Sequence, residues 1–164
     1  MATQQEKVTP VLWFDDKAEE AADFYVAVFP NSTIRKVVRR TQSAPGDPGT
    51  VLTVEFELDG QAFIALNGGP EFTFTPAVSF FIDCADQAEV DYFWERLTEG
   101  GRPVQCGWLV DKYGLSWQVV PEALPRMLND DDDEKSDAVM QAMLKMTKID
   151  VAELQRAYDA APAS

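Results

Sequence analysis

Glu55, Cys106, Asn67 and Gln118, with Trp13, Trp108 and Trp117 on strand-like stretches around them, are the side chains through which this 164-residue chain could act on a small molecule. The choice is narrow because the chain has no histidine. Ser-His-Asp and Cys-His nucleophile systems and a histidine general base are excluded, and so is histidine-ligated zinc, iron or nickel. Any catalysis must use carboxylates, lysine, tyrosine, cysteine, amides or backbone groups. Glu55 shares a strand face with Glu57, where it either meets solvent or serves as a general base in a cleft. Cys106, followed by Gly107 and Trp108, either presents a thiol beside an aromatic wall or is a buried structural cysteine. A reactive thiolate needs a cation or a helix N-terminus, and only Lys112 is near in sequence. Asn67 opens Asn67-Gly68-Gly69-Pro70, which is either a polar group plus backbone N–H groups facing a cleft or a tight turn requiring positive φ. Gln118 alternates with Trp117 and Val119, so it points to the opposite face of its strand, and inside a protein it needs hydrogen-bond partners. The tryptophans serve either as walls for a flat or cationic ligand or as core filling.

These residues are positioned by a pattern that runs twice. Residues 8–14 (VTPVLWF) are strand-like. Asp16 and Glu19 have capping-box spacing, and a helix to about Phe29 follows with Ala18, Ala21, Ala22, Tyr25, Val28 and Phe29 on its apolar face. Residues 32–40 are β-branched and basic, and residues 41–49 (TQSAPGDPG) form a loop. Residues 50–58 (TVLTVEFEL) alternate cleanly, Asp59-Gly60 signals a hairpin, and residues 61–66 (QAFIAL) return. The grammar then restarts: a strand over 76–84, a capping box at Asp86 and Glu89, a helix over 88–97, short strands over 108–111 and 115–120, and a turn at Lys112-Tyr113-Gly114. Glu20, Phe24 and Tyr25 sit at the same offset as Glu89, Phe93 and Trp94, and Gly60 with Phe63 matches Gly114 with Trp117. Duplication of a strand–helix–three-strand unit is the strongest architectural signal. After Pro121 the pattern is helical. The acidic run 130–134 suits a loop and helix start, Met140, Met143 and Leu144 share one side, and Asp150 caps a last turn set with Val151, Leu154 and Tyr158. These helices need a surface, either their own sheet or a partner subunit.

Four stretches carry a family resemblance: 9–15 (TPVLWFD), 18–25, 53–70 (TVEFELDGQAFIALNGGP) and 105–121 (QCGWLVDKYGLSWQVVP). The chain resembles the PhnB-like family of the vicinal oxygen chelate (glyoxalase and bleomycin-resistance) superfamily, whose members often carry a 3-demethylubiquinone-9 3-methyltransferase label. The resemblance implies an α+β fold of two βαβββ modules forming a curved, mixed eight-stranded sheet around a cleft, plus C-terminal helices, with a homodimer as the usual state. On that basis residues 1–121 form the paired domain (module one about 7–70, module two about 76–121) and 122–164 a helical extension. The fold does not name a reaction. Metal-using members place His, Gln or Glu at four inward strand positions, which fall here near Leu12, residues 64–66, residues 78–79 and Gln118. Only Gln118 could ligate, and one amide cannot hold a transition metal. No GxG follows a strand, so the methyltransferase label finds no nucleotide-type motif to rest on.

Composition closes off other classes. The net charge is −14, from 28 acids against 14 bases, which repels nucleic acid and anionic membranes and either steers cations inward or simply serves solubility. No 18-residue apolar run exists, and the first ten residues lack a signal-peptide core. With two cysteines and no CxxC pair, a reduced cytoplasm is the expected setting. The expectation is therefore a cytoplasmic, homodimeric, cofactor-free and metal-free protein that binds a small molecule through Trp13, Asn67, Trp108, Trp117 and Gln118. The alternatives are a metal-independent lyase, isomerase or transferase using Glu55 or Cys106, and a protein that sequesters a bulky cationic drug.

Overall fold

A computed structural model describes residues 6–162, and the chain divides into two compact units, Met1–Thr73 and Phe74–Ser164. The first contains β1 (Val11–Phe14), α1 (Ala18–Val28), β2 (Thr33–Arg39), β3 (Val51–Leu58) and β4 (Gln61–Asn67). Its sheet has the order β1-β4-β3-β2; β1 runs parallel to β4 and the other neighbours are antiparallel. The β3–β4 hairpin turns on Asp59 and Gly60, both at positive φ (47° and 86°), as a two-residue turn matched to strand twist requires.

One face of this sheet is the core. Leu12, Phe14, Val54, Phe56, Leu58, Phe63 and Ala65 alternate onto it and are buried, as are Ala18, Ala21, Ala22, Tyr25 and Val28 of α1. The Tyr25 and Phe63 rings both stack against Phe56, at centroid distances of 6.3 and 5.4 Å. A single helix thus seals the apolar half of the alternation.

The expected capping box at Asp16 does not form. The N-cap position is Lys17, which makes no side-chain cap bond. Asn67, at the end of β4, does the work from across the unit: its Oδ1 accepts from the Ala18 N–H at 2.8 Å, and its Nδ2 donates to the Val51 carbonyl at 3.1 Å. The Asn67 carbonyl accepts from Arg40, whose guanidinium also donates to the Val51 and Pro45 carbonyls and so pins the loop over residues 41–49.

The second unit contains β5 (Ser79–Cys84), α2 (Gln87–Thr98), β6 (Arg102–Pro103), β7 (Trp108–Val110) and β8 (Ser116–Pro121), then α3 (Ala123–Leu128), α4 (Asp133–Met143) and α5 (Val151–Ala160). Its sheet order, β5-β8-β7-β6, with β5 parallel to β8, repeats the first unit. The expected eight strands are therefore bonded as two four-stranded mixed sheets. Here α2 caps itself as the sequence implies, Asp86 accepting from the Glu89 N–H at 2.9 Å. The repeat is not strict: α1 buries Tyr25, whereas α2 buries Phe93, the counterpart of Phe24.

The C-terminal helices pack in cis within this unit. Ala123, Leu124, Met127, Val139, Met146, Ile149 and Leu154 form one cluster with Val120 of β8. The Cys106 and Gly107 N–H groups donate to the carbonyls of Met146 and Thr147. In α4 it is Val139 that is buried, while Met140 and Leu144, expected on the packed side with Met143, are exposed. The helix turns its Val139 stripe inward because α3 and α5 flank it there. Among the described residues no helix is long and apolar enough to cross a membrane.

Asn67→Ala strips α1 of its cap and removes one of the two side-chain donors to the Val51 carbonyl. Urea denaturation should show a loss of about 1–3 kcal/mol, whereas Asp16→Ala should stay within about 0.5 kcal/mol of the parent. Equal losses would overturn this assignment of the cap.

Candidate functional site

Strand alternation gives each sheet a second face, opposite α1 in the first unit and opposite α2 in the second, where the C-terminal helices cover only the Val120 end. In the first unit the register sets Val11, Ile64, Glu55 and Lys36 in one transverse row and Trp13, Leu66 and Thr53 in the next. Trp13 is half-buried; its Nε1 donates to the Gly69 carbonyl at 2.9 Å and its ring meets Phe72 edge-on at 5.0 Å. Gly68 lies under this ring, and a Cβ there would fall 2.4 Å from it. The Asn67-Gly68-Gly69 stretch is thus a turn shaped around Trp13, with Gly69 at φ 102°. Asn67 itself, 8% exposed, lies on the helix-covered face with both side-chain polar atoms committed. It does not reach the open face as a ligand contact, because the helix N-terminus claims it. Glu55 does lie on the open face but is exposed beside Lys36, and Glu57 is bound by Arg35 at 2.6 Å.

In the second unit the helix-covered face holds Ile82, Cys84, Leu109, Trp117 and Val119, all buried. Trp117, expected at the ligand face, is 3% exposed. Its Nε1 donates to Asp111 Oδ2 at 2.9 Å, and Asp111 Oδ1 accepts from the Tyr113 and Leu115 N–H groups. This buried carboxylate needs those donors, so Trp117 is fixed as part of the β7–β8 hairpin. The opposite face carries two rows. Phe81, Gln118 and Trp108 form one; Ser79, Ser116, Val110 and Arg102 form the other. Phe81 is 56% exposed and Trp108 is half-buried. Gln118 Nε2 donates to Ser79 Oγ at 3.0 Å. Phe81 had no sequence signal of its own; the pairing of β5 with β8, which places it beside Gln118, is what exposes its role.

The five expected ligand residues therefore separate. Trp108 and Gln118 share one open face, Trp13 lies on the open face of the other unit, and Asn67 and Trp117 belong to the buried sides. Cys106 is half-buried rather than buried, at φ 59° in the turn between β6 and β7. Cys84 is buried, and burial, aided by Glu89, pushes its thiol from 9.0 up to about 12.

Metal-using members of the family that the chain resembles hold a divalent ion at these strand positions, and the donor set here does not fit one. Leu12 and Ala65 lie buried on the helix-covered face, Ile64 and Leu66 offer no donor atom, and Ser79 Oγ is engaged by Gln118. Among the described residues no group of three or more His, Cys, Asp or Glu gathers. A lone amide and a hydroxyl lack the charge and number of donors such an ion takes.

Residues 6–120 match the family model described as 3-demethylubiquinone-9 3-methyltransferase. The PhnB protein of Bacillus cereus, whose structure carries that same description, is 37% identical over 71% of this chain and 99% of its own, with a TM-score of 0.65. A protein from Pseudomonas aeruginosa has the same fold at 19% identity, over 72% of this chain and 98% of its own, with a TM-score of 0.62. No curated protein matches. The family description implies a methyl donor of the nucleoside type. Neither strand-to-helix connection, residues 15–17 or residues 85–86, contains a glycine, and the first turns of α1 and α2 are already bonded by Asn67 and Asp86. The turns that would receive such a group are acidic and occupied, so it does not fit.

The thiols give a check on burial. At pH 8 a soluble thiol reagent should modify Cys106 in the native protein and leave Cys84 untouched until unfolding. Because the folded thiol of Cys84 titrates above its unfolded value, its contribution to stability is whole below about pH 9 and is lost as the pH climbs towards 12. Prompt modification of both thiols in folded protein would refute the placement.

Proposed function

The chain belongs to the 3-demethylubiquinone-9 3-methyltransferase-like (PhnB) family of the vicinal oxygen chelate superfamily, and on that premise we propose that it is a metal-free small-molecule-binding protein whose ligand lies on the open face of the β5-β8-β7-β6 sheet. The observation that carries this reading is the row Phe81–Gln118–Trp108. Two aromatic side chains flank one amide on the sheet face opposite α2, outside the Val120 end that the C-terminal helices cover, and Phe81 is more than half exposed. Large apolar rings left open beside a fixed polar group are what a flat ligand needs: the rings supply contact area and the amide supplies orientation. Gln118 is held by Ser79, so it loses little freedom on binding. Trp13, with Phe72 against it, is a second aromatic position for the same purpose in the first unit. The same reading takes the protein to be a cytoplasmic homodimer, supported by its family resemblance and by free cysteines at Cys84 and Cys106.

The test is a panel of flat aromatic metabolites scanned against metal-analysed protein by thermal shift and tryptophan emission. A ligand at 100 times its dissociation constant should add about 2.7 kcal/mol. Trp108→Ala should abolish the emission change. Trp117→Phe should keep binding while lowering stability by about 1–3 kcal/mol, because it removes the indole donor to the buried Asp111 Oδ2. Binding that survives Trp108→Ala, or a stoichiometric metal retained through purification, would overturn the reading.

A further inference from the structure

The row beside Phe81–Gln118–Trp108 names the ligand's chemical class, an inference that rests on the reading just given. It consists of Ser79, Ser116, Val110 and Arg102 in register across all four strands. Ser116 is 1% exposed, and its Oγ has no hydrogen-bond partner. A buried hydroxyl left unmet costs stability, so native proteins seldom keep one unless something else satisfies it. Ser79 Oγ already accepts from Gln118 Nε2, which leaves its own proton to donate elsewhere. The amide keeps a second N–H. Arg102, on the two-residue strand β6, is exposed and forms no ion pair with another described residue.

Every polar side chain in this neighbourhood thus has a hydrogen-bond donor to spare, and one is a cation. The acid on the same face is Asp83, which pairs with Val120. It lies four residues from Ser79 along β5, roughly 13 Å at strand rise, beyond the Debye length of about 8 Å at physiological salt. We propose that the Ser79–Ser116–Arg102 row receives the carboxylate of a small aromatic acid whose ring lies on Trp108 and Phe81. Ser79 and Ser116 donate to the carboxylate oxygens, Arg102 pairs with the charge from the sheet edge, and Gln118 joins the polar row to the aromatic one. Charge-assisted bonds of this kind are the stronger ones. The net charge of −14 by itself favours a cation, so the local row and the whole-molecule field make opposite predictions.

Three probes with one ring decide between them: benzoate, benzamide and benzylammonium, titrated against the full chain by ligand-detected NMR, with the melting temperature followed in parallel. Benzoate should bind about tenfold more tightly than either of the others. Ser116→Ala and Arg102→Gln should each weaken benzoate about tenfold and leave benzamide unchanged. Ser116→Ala should also melt at or above the parent temperature, because it removes a hydroxyl with no partner; a merely structural serine would lower it. Trp108→Ala should weaken all three probes. If benzamide or benzylammonium matches benzoate, or if the Ser116 and Arg102 variants bind benzoate as the parent does while Trp108→Ala still weakens binding, the acid assignment fails and the open-face reading stands. If no probe binds, or if Trp108→Ala changes nothing, both fail.

Discussion

Each unit has a four-stranded sheet and one helix inserted between its first two strands to lay across it, and that ratio governs the rest of the molecule. A strand sends alternate side chains to opposite faces. One helix can seal one face, so half of every strand is committed to core and the other half is left for another use. In the first unit the sealed half is Leu12, Phe14, Val54, Phe56, Phe63 and Ala65 beneath Tyr25. The remaining half is Val11, Trp13, Glu55, Ile64 and Leu66. The second unit divides the same way, with Trp117 and Val119 sealed and Phe81, Trp108 and Gln118 left open. Neighbouring tryptophans in the sequence thus have opposite fates according to which side of the pleat they occupy.

The two units keep this plan with different polar fastenings. In the first, Asn67 joins β4, β3 and the start of α1, and its carbonyl holds Arg40 over the adjoining loop. In the second, α2 is capped locally, and the buried polar group is Asp111, which folds the β7–β8 hairpin about the Trp117 indole. Both are side chains whose hydrogen-bonding capacity is spent within the fold, and both resemble site residues when only the sequence is in view. Residues with capacity left over, such as Ser116, are the more telling ones, since a fold has little reason to bury them.

Element order, the Asp59-Gly60 hairpin, the Asp86 cap and the opposition of Trp117 to Gln118 were legible in the sequence, because each depends on neighbours a few positions away. The α1 cap was not: Asn67 lies 49 residues from the N–H it satisfies, and the Asp16–Glu19 spacing offered a nearer solution. The strand at Arg102–Pro103 is too short to show a period, and without it Arg102 has no place in the register. In α4 the exposure of Met140 and Leu144 follows from where α3 and α5 lie, which periodicity within one helix does not contain. Trp117 carried two meanings, wall or core, and only the Asp111 carboxylate behind it decides which.

The borrowed cap also bears on the order in which the chain acquires structure. A short helix is marginal alone, since its first turn is costly to fix. α2 carries its own cap at Asp86 and can begin to form as soon as it is made. α1 must wait for Asn67, and β1 must wait for the same strand to find a partner. On a ribosome, which releases the N-terminus first, the earliest helix to emerge is therefore the less autonomous one. Until β4 has been made, α1 lacks its cap and β1 lacks its parallel neighbour.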